Sequence, residues 1–145
     1  MNSDLGILSR LVYSEMEGGN DNAKAIVAES AINRTELKVA SYENPDGTLT
    51  SAINKPGAYD VTNPKSNRND EFTNPYESAS AIDSKMNAWL SSIGAAYKAI
   101  NGSDVGKGTI FYHSTSATYR DNNPKLKKTN LNINHTGIKG TWKIK

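Results

Sequence analysis

Asp4-Leu5-Gly6-Ile7-Leu8-Ser9-Arg10-Leu11-Val12-Tyr13-Ser14-Glu15-Met16-Glu17, followed by Gly18-Gly19-Asn20-Asp21, is the stretch whose reading decides the fold. Leu5, Leu8, Leu11, Val12 and Met16 recur at helical spacing and predict a helix over residues 4–17. Asp4 suits its N-cap, and the Gly-Gly-Asn-Asp run suits its end. Glu15 is three residues after Val12, four after Leu11 and seven after Leu8. On a helix those offsets share one face, so this carboxyl falls inside the apolar stripe.

Reading outward, residues 22–38 predict a second helix that opens at Asp21 or Asn22. Its arc of Ala25, Val27, Ala28, Ala31 and Ile32 lets another backbone come close. Residues 39–77 read as irregular, with turns at Asn44-Pro45-Asp46-Gly47 and Lys55-Pro56-Gly57. The longest helical pattern runs over 77–101, with Ile82, Met86, Trp89, Leu90, Ile93, Ala96, Tyr97 and Ile100 on core spacing. It reads as the central buried helix. Thr109-Ile110-Phe111-Tyr112 then turns β-like, and 131–133 and 141–144 offer two more strands, with a hairpin at His135-Thr136-Gly137. No repeat or boundary divides the chain. The expectation is one α+β domain over 1–145, mainly helical, with a small β element.

The 145 residues include no cysteine, which excludes disulfides, thiolate metal sites and a cysteine nucleophile. Two histidines make a metal centre unexpected, and no cofactor is implied. There is no glycine-rich phosphate loop and no Gly-x-Ser-x-Gly nucleophile elbow. The net charge of +2 is too small, and its aromatics too sparse, for a nucleic-acid partner. No stretch is apolar enough for a membrane span, and Met1-Asn2-Ser3-Asp4 is not a signal peptide.

Glu15 carries the chemistry. Burial disfavours a charged carboxyl and raises its pKa, and the negative end of the helix dipole acts in the same direction. A carboxylic acid that stays protonated near neutral pH is what a glycosidase general acid requires. The alternative from the residues alone is a structural glutamate tied to a cation such as Arg34 or to backbone donors.

The run Leu11-Val12-Tyr13-Ser14-Glu15-Met16-Glu17-Gly18-Gly19, with Ala25-Ile26-Val27-Ala28-Glu29-Ser30-Ala31-Ile32-Asn33-Arg34, resembles the SleB-type cell-wall hydrolases, the spore-cortex-lytic enzymes and their relatives. Lys55-Pro56-Gly57-Ala58-Tyr59-Asp60-Val61-Thr62 stands where that family has a Pro-Gly loop. Gly106-Lys107-Gly108-Thr109-Ile110-Phe111-Tyr112-His113 is similar to its strand ending in aromatic and histidine residues. The resemblance spans residues 8–115. It implies a lysozyme-like domain with a substrate groove, and cleavage of peptidoglycan glycan strands at the MurNAc-GlcNAc β-1,4 bond by a lytic transglycosylase. Glu15 is then the catalytic residue. The sequence departs from the family at Gly19, Ala58 and Glu29, and Glu29 reads as a solvated helix-edge residue.

Around Glu15, Tyr59, Thr62, Asn63, Tyr112 and His113 are the candidate substrate-binding residues. Tyr59 offers a stacking face or a hydroxyl, or packs on the core. Thr62 and Asn63 suit N-acetyl groups. Strand alternation sends one of Tyr112 and His113 toward the groove. Trp89 reads as core and Trp142 as an exposed sugar platform. Competing functions are a hydrolytic muramidase and a non-catalytic wall-binding module. The expected place of action is the periplasm or cell wall. The chain arrives there through a secretion system, a holin or a larger protein, as a phage lysin or an injected antibacterial toxin with an immunity partner.

Overall fold

The computed structural model describes residues 3–37, 44, 46–114 and 118–145. Helix α1 (Ser3–Met16) lies at the centre of the core. Ile7, Leu8, Leu11, Val12 and Tyr13 are buried, and so are Ser9 and Ser14. The helix starts one residue earlier than expected, so Asp4 sits in its first turn rather than at the N-cap. The buried serines let neighbouring helices come close, and Ser14 satisfies its hydroxyl on Arg10 O at 2.7 Å.

Helix α2 (Asp21–Arg34) is capped by Asn20, whose Oδ1 accepts from Ala23 N at 2.9 Å. It stops at Arg34, short of the expected residue 38. Residue 38 itself lies outside the described residues. Thr35 turns its hydroxyl back to Ala31 O at the end of the helix.

The stretch expected to be irregular carries short helices: α3 (Leu49–Asn54), a 3-10 turn (Asp60–Thr62), α4 (Asn69–Thr73) and α5 (Pro75–Ala79). Each buries one to three side chains, namely Leu49, Ala52 and Ile53, then Val61, Phe72 and Ala79. Segments this short show no helical period in the sequence; tertiary burial forms them. Gly47 donates to Asn44 O at 3.1 Å, closing the expected turn, with Pro45 outside the described residues.

Helix α6 (Asp83–Ile100) is shorter than the expected 77–101, since Pro75 starts a separate helix and Ile82 is extended. It is also not the central helix. Its buried stripe is Trp89, Ser92, Ala96 and Ala99, while Leu90 is 57% and Tyr97 60% exposed. The small residues allow close contact with α1 and α2, and the larger side chains on the other face point outward.

Strands β1 (Phe111–His113), β2 (Leu126–Lys128) and β3 (Gly140–Ile144) form a three-stranded antiparallel sheet in the order β1-β3-β2. The strand expected at 131–133 is absent. Leu131 and Ile133 pack instead with Ile138 against Ala23 and Ile26 of α2. His135 and Gly137 do turn the chain, at φ +62° and +77°, within the connection 129–139 rather than in a tight hairpin. Among the described residues no helix is long and apolar enough to cross a membrane.

Candidate active site

Glu15 lies one residue from the C-terminus of α1, and the end of that helix is held from outside. Lys24 of α2, buried, donates its Nζ to Glu17 O at 3.2 Å and Gly19 O at 2.7 Å. A cation on these carbonyls satisfies acceptors that the helix leaves open and suits its dipole. Gly19 follows in close contact, since a Cβ there would fall 2.4 Å from Met16 Cγ. A side chain at this position does not fit without moving Met16.

Burial pushes the Glu15 carboxyl above the ordinary range for glutamate. The guanidinium of Arg68, a hydrogen bond from the Tyr112 hydroxyl and the charge of Arg34 act in the opposite direction, and Asp60 adds to the rise. No cation among the described residues lies within ion-pair distance of Glu15. The Arg34 pairing that would have made Glu15 structural is therefore not formed. Arg34 instead donates Nε to Ile110 O at 2.6 Å and Nη1 to Ala58 O at 3.4 Å. Its guanidinium lies over Tyr59 at 4.7 Å and over Phe111 at 4.5 Å.

Tyr112 and His113 separate as strand alternation requires. The Tyr112 hydroxyl lies beside Glu15, and burial first, then that carboxyl, push it well above the ordinary tyrosine value. His113 accompanies Trp142, ring centroids 5.5 Å apart, and accepts from Arg120 Nε. Burial first, then Arg120 and Arg34, press its pKa below the usual value. Only Tyr112 of this pair is brought to Glu15.

Tyr59 is buried, with its hydroxyl beside Ser30, and Glu15 contributes to the rise in its pKa after burial. Ser30 commits its own hydroxyl to Val27 O, and the Tyr59 hydroxyl has no partner of good geometry among the described residues. Packing thus accounts for the ring, which presents no open stacking face. Thr62 donates to Tyr59 O at 2.9 Å, and Asn63 Oδ1 accepts from Lys65 N at 3.0 Å. Both side chains shape the loop that carries Tyr59 and Asp60.

Two other readings change. Trp142 is only 2% exposed, with Nε1 donating to Asp121 Oδ1 at 3.0 Å, because its register opposite Phe111 turns it into the sheet core. It is no sugar platform. Glu29 is 2% exposed and not solvated. Its oxygens accept from Gly106 N at 2.6 Å and Ser103 Oγ at 2.8 Å, tying α2 to the segment that leads into β1.

Sequence reasoning missed Asp60, Arg68, Glu17 and Glu71. Glu17 and Glu71 share a hydrogen bond between carboxyls, which holds Glu17 low; burial first and then Glu17 hold Glu71 high. Lys85 pairs with Glu17 and Arg68 with Glu71, each at 3.5 Å. Arg68 therefore serves both this pair and Glu15. Glu17 follows Glu15 by two residues, whereas Asp60, Arg68 and Glu71 come from 60–71, more than forty residues away, and no local motif marks them.

Among the described residues no group of three or more histidine or acidic side chains is placed to hold a metal. Comparisons with protein-family models, with curated proteins and with solved structures find no match to this chain.

Proposed function

We propose that the chain cleaves peptidoglycan glycan strands at the MurNAc-GlcNAc β-1,4 bond, as a lytic transglycosylase of lysozyme-like architecture. One observation carries this reading. The Glu15 carboxyl is held high by burial, forms no ion pair among the described residues, and lies beside the Tyr112 hydroxyl. That is the state a general acid needs before reaction.

In this mechanism Glu15 donates its proton to the glycosidic oxygen, and the bond to the anomeric carbon breaks. The resulting carboxylate takes the proton of the muramic 6-hydroxyl, whose oxygen closes on that carbon as a 1,6-anhydro ring. Tyr112 and Arg68 stabilise the carboxylate between the two transfers, through a hydrogen bond and a nearby positive charge. The sugar supplies the nucleophile, so a second carboxyl is not required.

Asp60 favours the hydrolytic alternative. It is exposed and near enough to raise the Glu15 pKa, so it could activate a water. Digesting purified sacculi and weighing the products separates the two: anhydro ends mark a transglycosylase, reducing ends a muramidase. Glu15→Gln should lower cleavage about 10²–10⁴-fold, the usual contribution of a general acid. Full activity in that variant would remove Glu15 from the chemistry. Sacculus pull-down without cleavage by the parent chain would mark a binding module. The setting that goes with this reading is the periplasm or cell wall, reached as a lysin or an injected toxin. An immunity partner would then cover Glu15.

A further inference from the structure

Helix α6 carries an apolar strip that its own fold leaves in solvent. Met86, Leu90, Ile93, Tyr97 and Ile100 follow one another at intervals of four, three, four and three residues. That alternation lines up side chains for packing along a second helix. Leu90 is 57%, Tyr97 60% and Ile100 42% exposed, and Ile82, just before the helix, is 55% exposed. Met86 and Ile93 are half-buried and pack beside Trp89, so they join the strip to the core. The side turned toward α1 and α2 is a different one, made by Trp89, Ser92, Ala96 and Ala99. Gly94 lies between Leu90 and Tyr97 on the outer face, where a Cβ would meet only open space. A second backbone can therefore come close at this point.

The charges on the same face say which helix fits. Asp83 stands at the N-terminal end of α6 and Lys98 near its C-terminal end, both exposed. Neither forms an ion pair among the described residues. A second α6 laid antiparallel brings each Asp83 within a turn of the other copy's Lys98. A parallel one sets Asp83 against Asp83 and Lys98 against Lys98, which repel. The antiparallel arrangement also opposes the two helix dipoles. With a two-fold axis beside residues 91 and 92, Leu90 meets Ile93 of the second copy, Met86 meets Tyr97, and Ile82 comes beside Ile100. The strip is thus its own complement, as a two-fold interface requires.

We propose that α6 is a self-association surface, on which a second copy of this chain packs its own α6 antiparallel. The helix is about 27 Å long, and a contact one helix wide falls below the size of permanent interfaces. The dimer is therefore a concentration-dependent one. It forms whether or not the chain cleaves glycan.

Sedimentation equilibrium of the full chain tests this. The parent should pass from monomer to dimer over about 10 μM to 1 mM. Leu90→Ser and Tyr97→Ser remove side chains that are more than half exposed, so thermal melts should stay close to the parent while each weakens the dimer about tenfold. Asp83→Lys and Lys98→Glu should each weaken it about tenfold, because the two-fold loses both ion pairs at once. An equimolar mixture of those two variants should associate as the parent does. A parent that stays monomeric at about 1 mM overturns the proposal and leaves the strip to an unlike partner. Undiminished association in both Leu90→Ser and Tyr97→Ser also overturns it, since the contact then lies elsewhere. Unchanged association in Asp83→Lys overturns the antiparallel arrangement, because parallel helices set like against like before and after the substitution.

Discussion

Replacing Glu29 tests the link between α2 and the sheet. Its oxygens accept from Gly106 N at 2.6 Å and Ser103 Oγ at 2.8 Å, in a setting where Glu29 is 2% exposed. Hydrogen bonds to a charged group contribute about 1.5–3 kcal/mol each, and neutral ones about 0.5–1.5 kcal/mol. Glu29→Gln keeps the volume and can retain both contacts, because Ser103 can turn its hydroxyl to accept from the amide. Two charged bonds become two neutral ones, a loss of about 2 kcal/mol. Glu29→Ala leaves the Gly106 N–H buried without a partner and opens a void, for about 4 kcal/mol. For a chain of this size those losses lower Tm by about 7 °C and 14 °C. Urea midpoints and thermal melts measure both.

Gly106→Ala supplies an internal control. Its Cβ would lie 3.2 Å from Glu29 Oε1, so the substitution should cost less in the Glu29→Ala background than in the parent. If both Glu29 variants melt within about 3 °C of the parent, the carboxyl carries no such link and the reasoning fails.

Glu15→Gln should stabilise the fold as it lowers cleavage. The folded state holds the Glu15 proton more tightly than the unfolded chain, so parental stability falls as pH rises through the raised pKa. The variant should match the parent below about pH 4 and exceed it at neutral pH; a constant gap in urea midpoint across the range would contradict this. Tyr112→Phe removes a bond that favours the carboxylate, so the alkaline limb of the cleavage profile should move to higher pH. An unmoved limb would show that Tyr112 does not set the proton affinity of Glu15. Gly19→Ala should cost about 1–3 kcal/mol by crowding Met16 and Ala23, measured as a lowered denaturation midpoint.

The sequence by itself determined that α1, α2 and α6 exist, and that a β-like segment ends in Tyr112 and His113. Those features rest on local periods and on the glycines and asparagines that interrupt them. The place of Glu15 on the apolar face of α1 was legible for the same reason: helical offsets are fixed by geometry. Only the tertiary structure decided which helix is central. Leu90 and Tyr97 keep core spacing in α6, yet it is α1 that the other helices surround.

It also decided the surroundings of Glu15. Arg68 and Asp60 act on it through space, and Glu71 on its neighbour Glu17, from segments whose short helices form by packing rather than by propensity. Glu29 looked solvated because its neighbours on the helix wheel are polar. Its partners at 103 and 106 lie more than seventy residues further along the chain. Burial of a polar side chain depends on what folds over it, and periodicity within one element carries no record of that.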